Sequence, residues 1–211
     1  MGWKTNAIPV DCRLGLPPEQ LVQRLVGTEC AVVRTVTLEE AFHPAATYVG
    51  EHGDSTILLD PNWPAPIVYG EASAILTALL ALAPEAKIAA VQLHSVVNYS
   101  SFRVSHAGAS VRAFACSTDD DVMIDEGQPL PAENRVVSKL TRVDTDDGVV
   151  EYTDDEGNEF PLDALGEEFV LEIFRDLLGV RPDEDEGLMQ IPVTEVRHGS
   201  KGFWRRLFGA R

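Results

Sequence analysis

The chain has 211 residues, and its apolar fraction of 45% and charged fraction of 24% are typical of a folded globular protein rather than a disordered one. Its formal net charge of -17 excludes a general affinity for nucleic acid, because neutralising phosphates requires clustered lysine and arginine, so no nucleic-acid partner is expected. The charge is unevenly placed. Residues 119–186 contain 23 acidic and 5 basic residues, whereas residues 197–211 contain 5 basic residues and no acidic one.

The cysteines and the apolar segments indicate a cytoplasmic protein. Cys12, Cys30 and Cys116 are odd in number, far apart and each set among apolar residues, which is typical of reduced thiols. The N-terminus lacks the apolar segment of a secretory signal. The longest apolar stretch, residues 72–83, is shorter than the roughly 20 residues that a membrane-spanning helix requires, so we expect no transmembrane segment.

The first predicted elements are a strand and a helix. Residues 5–12 form the expected opening strand, and Pro9 favours an edge or irregular position for it because proline has no amide hydrogen to donate. A short amphipathic helix then begins at Pro17 and Pro18 and ends at Gly27.

Two strand regions and a second helix follow. Residues 30–36 are apolar and β-branched, and residues 47–49 and 55–59 flank a turn in the manner of a β-hairpin. Residues 71–82 are apolar on nearly all sides, which predicts a helix that packs against a sheet with little exposed surface. Four strand-like runs between residues 88 and 124, separated by turn residues, then predict an antiparallel meander.

The acidic half of the chain adds hairpins and a third helix. The Asp-rich segments 144–148 and 154–158 are typical of hairpin turns. Residues 164–178 have the apolar spacing of an amphipathic helix, with Gly179 at its C-terminal end, and residues 191–196 form a last strand.

Together these elements predict one α+β domain over residues 1–196. Its sheet is expected to be mainly antiparallel and covered by about three helices. Residues 197–211 are predicted to form a separate basic tail beyond a Gly-Ser hinge.

The sequence gives no metal or cofactor signature. The segment 144–148 resembles a calcium loop, but its glycine stands at position five instead of six and no helices flank it. The five histidines include no pair with the spacing of zinc ligands, and no Cys-x-x-Cys pair is present. We therefore expect neither a bound metal nor a cofactor.

His94 is the candidate catalytic residue of an alternative interpretation. It lies near Ser95 and Asn98 at the end of the longest predicted strand, where strand alternation places His94 and Asn98 on one face and Ser95 on the other. His94 and Ser95 therefore do not form a nucleophile and its base. The favoured interpretation is that His94 is a partly buried structural histidine. The alternative is a small hydrolase or transferase in which His94 works with a carboxylate from another strand.

The basic tail contains the candidate binding residues. On a helix its four large apolar side chains fall at positions i, i+1, i+4 and i+5 and form one stripe beside the arginines. The set is Phe203, Trp204, Arg205, Arg206, Leu207 and Phe208. Three partners remain open for it: the chain's own acidic domain, a groove on a protein partner, and an anionic membrane surface. Two glycines and a short length predict that the segment orders only on binding.

Several spaced motifs resemble an uncharacterised family of bacterial proteins that is known only as a domain of unknown function. The motifs are Met-Gly-x-Lys-Thr at residues 1–5, Leu-His-Ser-Val-Val-Asn at 93–98, Gly-x-Pro-Leu-Pro-x-Glu at 127–133 and Leu-Gly-Glu-Glu at 165–168. The resemblance implies a cytoplasmic bacterial protein and carries over no catalytic or binding residue. With no enzymatic signature, the expected function is non-enzymatic binding through the acidic domain and the basic aromatic tail.

Overall fold

The computed structural model describes residues 3–144 and 150–199, in which twelve strands form two sheets. In chain order the strands are β1 (Lys4–Val10), β2 (Cys30–Thr37), β3 (Thr47–His52), β4 (Ser55–Leu59), β5 (Lys87–His94), β6 (Tyr99–His106), β7 (Ala109–Ser117), β8 (Asp121–Gly127), β9 (Thr141–Asp144), β10 (Val150–Thr153), β11 (Glu159–Pro161) and β12 (Pro192–His198). The large sheet is antiparallel throughout and has the order β2-β12-β3-β4-β1-β5-β6-β7-β8. The small sheet has the order β11-β10-β9, and most of the Asp-rich turn at 144–148 lies outside the described residues.

Seven helices accompany these strands in the described part of the chain. They are α1 (Pro18–Val26), α2 (Leu38–Ala41), α3 (Pro64–Val68), α4 (Ala74–Leu82), α5 (Pro131–Val137), α6 (Gly166–Leu178) and α7 (Glu186–Met189). The prediction of a single α+β domain with a mainly antiparallel sheet is confirmed. Three of the longer helices, α1, α4 and α6, correspond to the three that the sequence predicts. The fourth, α5, begins at Pro131, where the missing amide hydrogen costs nothing because the first turn of a helix leaves its amides unpaired.

The opening strand lies at the centre of the large sheet, so of the two positions expected from Pro9 the edge position is wrong and the irregular one is found. β1 pairs with β4 on one side, where Pro9 stands opposite Ile57, and with β5 on the other. The β5 register has pairs at Ala7 and at Val10 but none at Ile8 or Pro9. The sheet therefore tolerates proline by leaving a local gap in one ladder, not by placing the strand at an edge.

Helices cover both faces of the large sheet and define two cores. On one face, which we call the α6 face, α6 packs Phe169 and Phe174 against Phe102 and Phe114, which stack at 5.9 Å between ring centroids. On the opposite α1 face, α1, α3 and α4 cover a second core. Each fully buried phenylalanine contributes roughly 2–3 kcal/mol by leaving water, so both cores stabilise the packing of the helices on the sheet.

Helix α4 is less buried than its apolar sequence predicts. Leu79 is its one fully buried side chain, because the helix lies beside α1 and not squarely on the sheet.

The last strand continues further than the sequence suggests. β12 runs to His198, so Arg197 and His198 pair with β2 and lie within the sheet.

A network of charged side chains fixes the outer side of α6. The Glu172 carboxylate, whose side chain is 4% exposed, accepts hydrogen bonds from Arg135 at 2.6 Å and Arg181 at 3.2 Å and lies 3.4 Å from Arg175. Burial alone would raise the pKa of Glu172, but these arginines outweigh burial and hold the pKa below its usual value of 4.5. Because the folded-state pKa is the lower one, the stabilisation is complete above about pH 4.5 and is lost as the pH falls through the folded-state value.

We therefore expect Glu172→Gln to lower the free energy of unfolding by about 2 kcal/mol at pH 7, the size of a hydrogen bond to a charged group. The difference between wild type and variant should shrink below pH 4.5, where the wild type also loses the charge. Urea unfolding at a series of pH values measures this difference. A gap that is constant from pH 7 to pH 3 would show that the carboxylate charge is not the stabilising element. Glu184→Gln, at a side chain that is 57% exposed, is the matched control.

Candidate functional site

His94 occupies the last position of β5, on the α1 face of the sheet. It stands opposite Lys4 of β1 and Tyr99 of β6. Among the described residues, no carboxylate comes within hydrogen-bonding or ion-pair distance of its imidazole. The strand ends at His94, and Ser95–Val97 forms a 3-10 turn, so the expected alternation of His94 and Asn98 across a longer strand is wrong. The Ser95 hydroxyl accepts the Trp3 amide hydrogen at 3.0 Å and thereby fixes the chain before β1.

A band of hydrogen-bonded polar side chains crosses the α1 face next to His94. Gln92 donates to Asn6 at 3.1 Å and accepts from the Tyr99 hydroxyl at 3.2 Å, and the Tyr99 and Tyr69 hydroxyls lie 3.0 Å apart. Burial raises the pKa of the Tyr99 phenol. The band is internally satisfied, and the imidazole of His94 does not join it.

A cavity of about 590 Å³ on the α6 face is built around Arg112, and we call it the Arg112 cavity. The guanidinium donates to both carboxylate oxygens of Glu133, at 2.7 to 3.1 Å, and to Asp125 and the Gly127 carbonyl. Burial would lower the pKa of Arg112, but the hydrogen bonds to Glu133 and Asp125 raise it overall. All three guanidinium nitrogens are thus engaged within the protein, which is the pattern of a structural ion pair.

A groove of about 780 Å³ lies between α2 and the segment that links α6 to α7. We call it the acidic groove. Its floor is apolar and comprises Trp3, Phe42 and Met189. The Trp3 and Phe42 rings meet edge to face at 5.3 Å between centroids, and Phe42 in turn contacts Phe174 of the core. The floor is therefore anchored to the α6 core and to Ser95, which also donates its amide hydrogen to the Trp3 carbonyl at 2.9 Å.

Four carboxylates surround this floor, and their environments differ. Glu39 accepts from Gln190 at 3.0 Å, and Glu184 pairs with Arg175 at 2.7 Å. Asp183 is bound by Arg181; burial would raise its pKa, but the arginine lowers it overall. Glu186 has no ion pair within the described residues. Lys4 and His43 also line the groove, so carboxylates outnumber lysine there by four to one.

In the sequence, residues 183–186 stand out only as part of the acidic half of the chain, and no pattern assigns a role to Trp3, Phe42 or Met189. The groove brings together three segments that are remote in sequence: Trp3, residues 39–43 and residues 182–190. The sequence contains one local signal for this groove: the aromatic Phe42 and the apolar Met189 each stand close to charged residues along the chain. The meeting of these three segments in space could not be predicted, because it depends on β1 lying at the centre of the sheet.

The candidate binding residues of the tail lie outside the described residues. Phe203, Trp204, Arg205, Arg206, Leu207 and Phe208 all fall within 200–211, so their interaction stays a prediction. Within residues 3–144 and 150–199, no cluster of three or more histidine, cysteine or acidic side chains is arranged to hold a metal ion. In the same ranges, none of the helices has the length and apolar character that crossing a membrane requires.

The fold and the groove define an acidic α+β protein with a nine-stranded antiparallel sheet and an open groove on its α6 face. The model of a family of unknown function, DUF6928, matches residues 18–195. The chain belongs to this family, which confirms the assignment made from the spaced motifs. The chain shows no significant similarity to any curated protein or to any solved structure.

Proposed function

We propose that this protein is a non-enzymatic interaction protein whose acidic groove binds a basic, aromatic peptide segment. The observation that carries the proposal is the combination of an apolar aromatic floor with four surrounding carboxylates, Glu39, Asp183, Glu184 and Glu186. The partner is a protein segment, and the basic aromatic tail at residues 197–211 has the same composition as the ligand that the groove would accept.

Each part of the groove suits one part of such a ligand. Carboxylates accept the paired N–H groups of arginine, and a guanidinium can also stack on an aromatic face such as that of Trp3. Met189 has an unbranched, polarisable side chain that adapts to apolar ligands of different shape. Rim charges supply association rate and selectivity, and the buried aromatic contact supplies most of the affinity.

We further propose that the protein works in the cytoplasm of a bacterium. Its three thiols form no disulfide: Cys12 and Cys30 are partly buried, and Cys116 is buried. Burial raises the pKa of Cys116 to about 12, so this thiol stays protonated and unreactive at neutral pH. Unpaired structural cysteines are the usual state in a reducing compartment.

A peptide titration tests the proposed function. The probe is a fluorescein-labelled synthetic peptide with the sequence of residues 200–211. The receptor is the full chain with Phe203→Ser, Trp204→Ser, Leu207→Ser and Phe208→Ser, a variant we call tail-silenced. We expect saturable binding by fluorescence anisotropy, weakened by added NaCl because rim charges are screened beyond about 8 Å at physiological ionic strength.

Charge reversal in the groove should weaken this binding. Glu39→Lys with Glu186→Lys is expected to lower the affinity about tenfold, the sum of two exposed charge contacts of roughly 0.7 kcal/mol each. Glu71→Lys with Glu85→Lys changes the net charge equally on the exposed surface beside α4 and should have little effect. Equal losses in both variants would show a diffuse charge effect and contradict the proposal. Co-sedimentation of the full chain with phosphatidylglycerol vesicles, in the absence of peptide binding, would favour a membrane surface instead.

A further inference from the structure

The end of the described chain lies level with Trp3, which forms part of the floor of the acidic groove. Val196 of β12 pairs with Thr47 of β3. The same row of paired residues continues across β4 to β1, where the amide of Asp60, just after β4, donates to the Asn6 carbonyl at 3.2 Å. Gly199 stands three residues after Val196, and Trp3 stands three residues before Asn6. Both therefore leave the same end of the sheet at the same height.

The gap between these two points is short. β12 and β1 are separated by β3 and β4, that is by three strand spacings, or about 14 Å. Four residues in extended conformation span at most about 14 Å. Residues 200–203 thus suffice to carry Phe203 from Gly199 to Trp3, and eight further residues remain to lie along the groove.

From this position and the charges we infer that the acidic groove is occupied by the chain's own C-terminal segment, residues 200–211. The inference rests on the proposed function and names the ligand. Phe203, Trp204, Leu207 and Phe208 cover the apolar floor, while the arginines and Lys201 face the rim carboxylates. The segment supplies six such residues within one short sequence: two pairs of large apolar residues for the floor, with Arg205 and Arg206 between them for the rim.

Charge complementarity favours the groove over other apolar surfaces of the chain. The most exposed apolar residues at the same end of the sheet are Val96 at 79% and Val97 at 50%. They lie in the 3-10 turn Ser95–Val97, which itself contains no carboxylate to pair with a cationic segment. The groove offers an apolar floor beside Glu39 and Glu186, two carboxylates with no ion pair within the described residues.

Tethering makes the contact effective even if the isolated contact is weak. A short flexible connection holds its ligand at a local concentration of about millimolar. A segment that binds with a dissociation constant of about 0.1 mM would thus occupy the groove about nine-tenths of the time. A basic aromatic segment of another protein would have to displace the tail, so the same contact sets the affinity threshold for outside partners.

Photo-crosslinking in the full chain tests the inference. Trp204 is replaced by p-benzoylphenylalanine, a photoreactive residue that inserts into nearby C–H bonds, and the products are mapped by mass spectrometry after digestion. We expect an intramolecular product at Met189, Phe42 or Trp3. Glu39→Lys with Glu186→Lys in the same chain should lower its yield about twofold, because a tenfold weaker contact at about millimolar local concentration leaves the groove about half occupied, whereas Glu71→Lys with Glu85→Lys should not lower it.

Each other outcome overturns the inference. Products at Val96 or Val97, at α4 or in a second copy of the chain would place the tail elsewhere, and absence of any groove product would show that the tail does not dock in cis. The peptide titration separates this failure from failure of the proposed function. If the peptide binds the tail-silenced variant and no groove crosslink forms, only the inference is lost. If neither occurs, the groove does not bind basic segments at all.

Discussion

Replacing Arg112 with methionine is expected to lower the free energy of unfolding by about 3–5 kcal/mol, the cost of removing one partner of a buried ion pair. The Arg112 side chain is 3% exposed and that of Glu133 is 4% exposed. Without the guanidinium, the Glu133 carboxylate loses its charged donors while remaining buried, although it still accepts the Leu130 amide hydrogen at 2.8 Å. Urea unfolding followed by circular dichroism measures the change.

Two further variants show whether the unpaired charge is the cause. Arg112→Met combined with Glu133→Leu removes both charges and should recover part of the lost stability, because no buried carboxylate is left unpaired. Arg34→Met breaks an ion pair whose arginine is 62% exposed and should cost no more than about 1 kcal/mol. A double variant as unstable as the single one would mean that packing, not charge, explains the loss.

Replacing Gly127 with alanine is expected to cost about 3 kcal/mol, the second largest effect. Gly127 has φ +84, a left-handed conformation that costs an L-residue about 1 kcal/mol or more. An added Cβ would also lie 2.3 Å from the Val111 carbonyl oxygen, so backbone atoms of β7 or β8 would have to move at a cost of about 1–3 kcal/mol.

Gly108 provides a matched control for this prediction. It has φ +78 and no atom within 4 Å of the added Cβ, so Gly108→Ala isolates the conformational cost of about 1 kcal/mol. Thermal or urea unfolding of both variants measures the difference between them. Equal destabilisation of Gly127→Ala and Gly108→Ala would show that β7 and β8 yield to the added methyl group without strain.

These predictions also give physical meaning to the motif at residues 127–133. Gly127 permits the close approach of β8 to β7, Pro131 opens α5, and Glu133 both caps α5 and binds Arg112. In the motif at 165–168, Gly166 likewise permits a close approach, here of α6 to β7, since a Cβ there would lie 2.4 Å from the Cys116 sulfur. Both motifs therefore support the structure, and the groove is built from other residues.

The individual helices and strands were predicted well from the sequence, and the order of the strands in the sheet was predicted less well. The first residue of α1, Pro18, its C-cap, Gly27, and the hairpin of β3 and β4 were predictable because their signals are local. The central position of β1 was not, since a proline can occupy an inner strand only where the surrounding ladder leaves a gap. Helix α5 was missed because two prolines precede or begin it, a pattern that also occurs in loops.

The acidic groove was beyond sequence reasoning for the same reason. Trp3 and the residues 183–190 meet because β1 is central and because Arg181 binds Glu168 and Glu172, which brings the chain after α6 back along that helix. The charge division between the acidic half and the basic tail was visible in the sequence and remains the link between the groove and its proposed ligand.

The affinity of the labelled 200–211 peptide for the unmodified full chain, compared with the tail-silenced variant, tests the account most directly. If the groove binds basic aromatic segments and the tail occupies it in cis, the unmodified chain should bind the peptide about tenfold more weakly, because the peptide must displace a tethered competitor. Binding of equal strength to both proteins would contradict occupation by the tail, and absence of binding to both would contradict the groove itself.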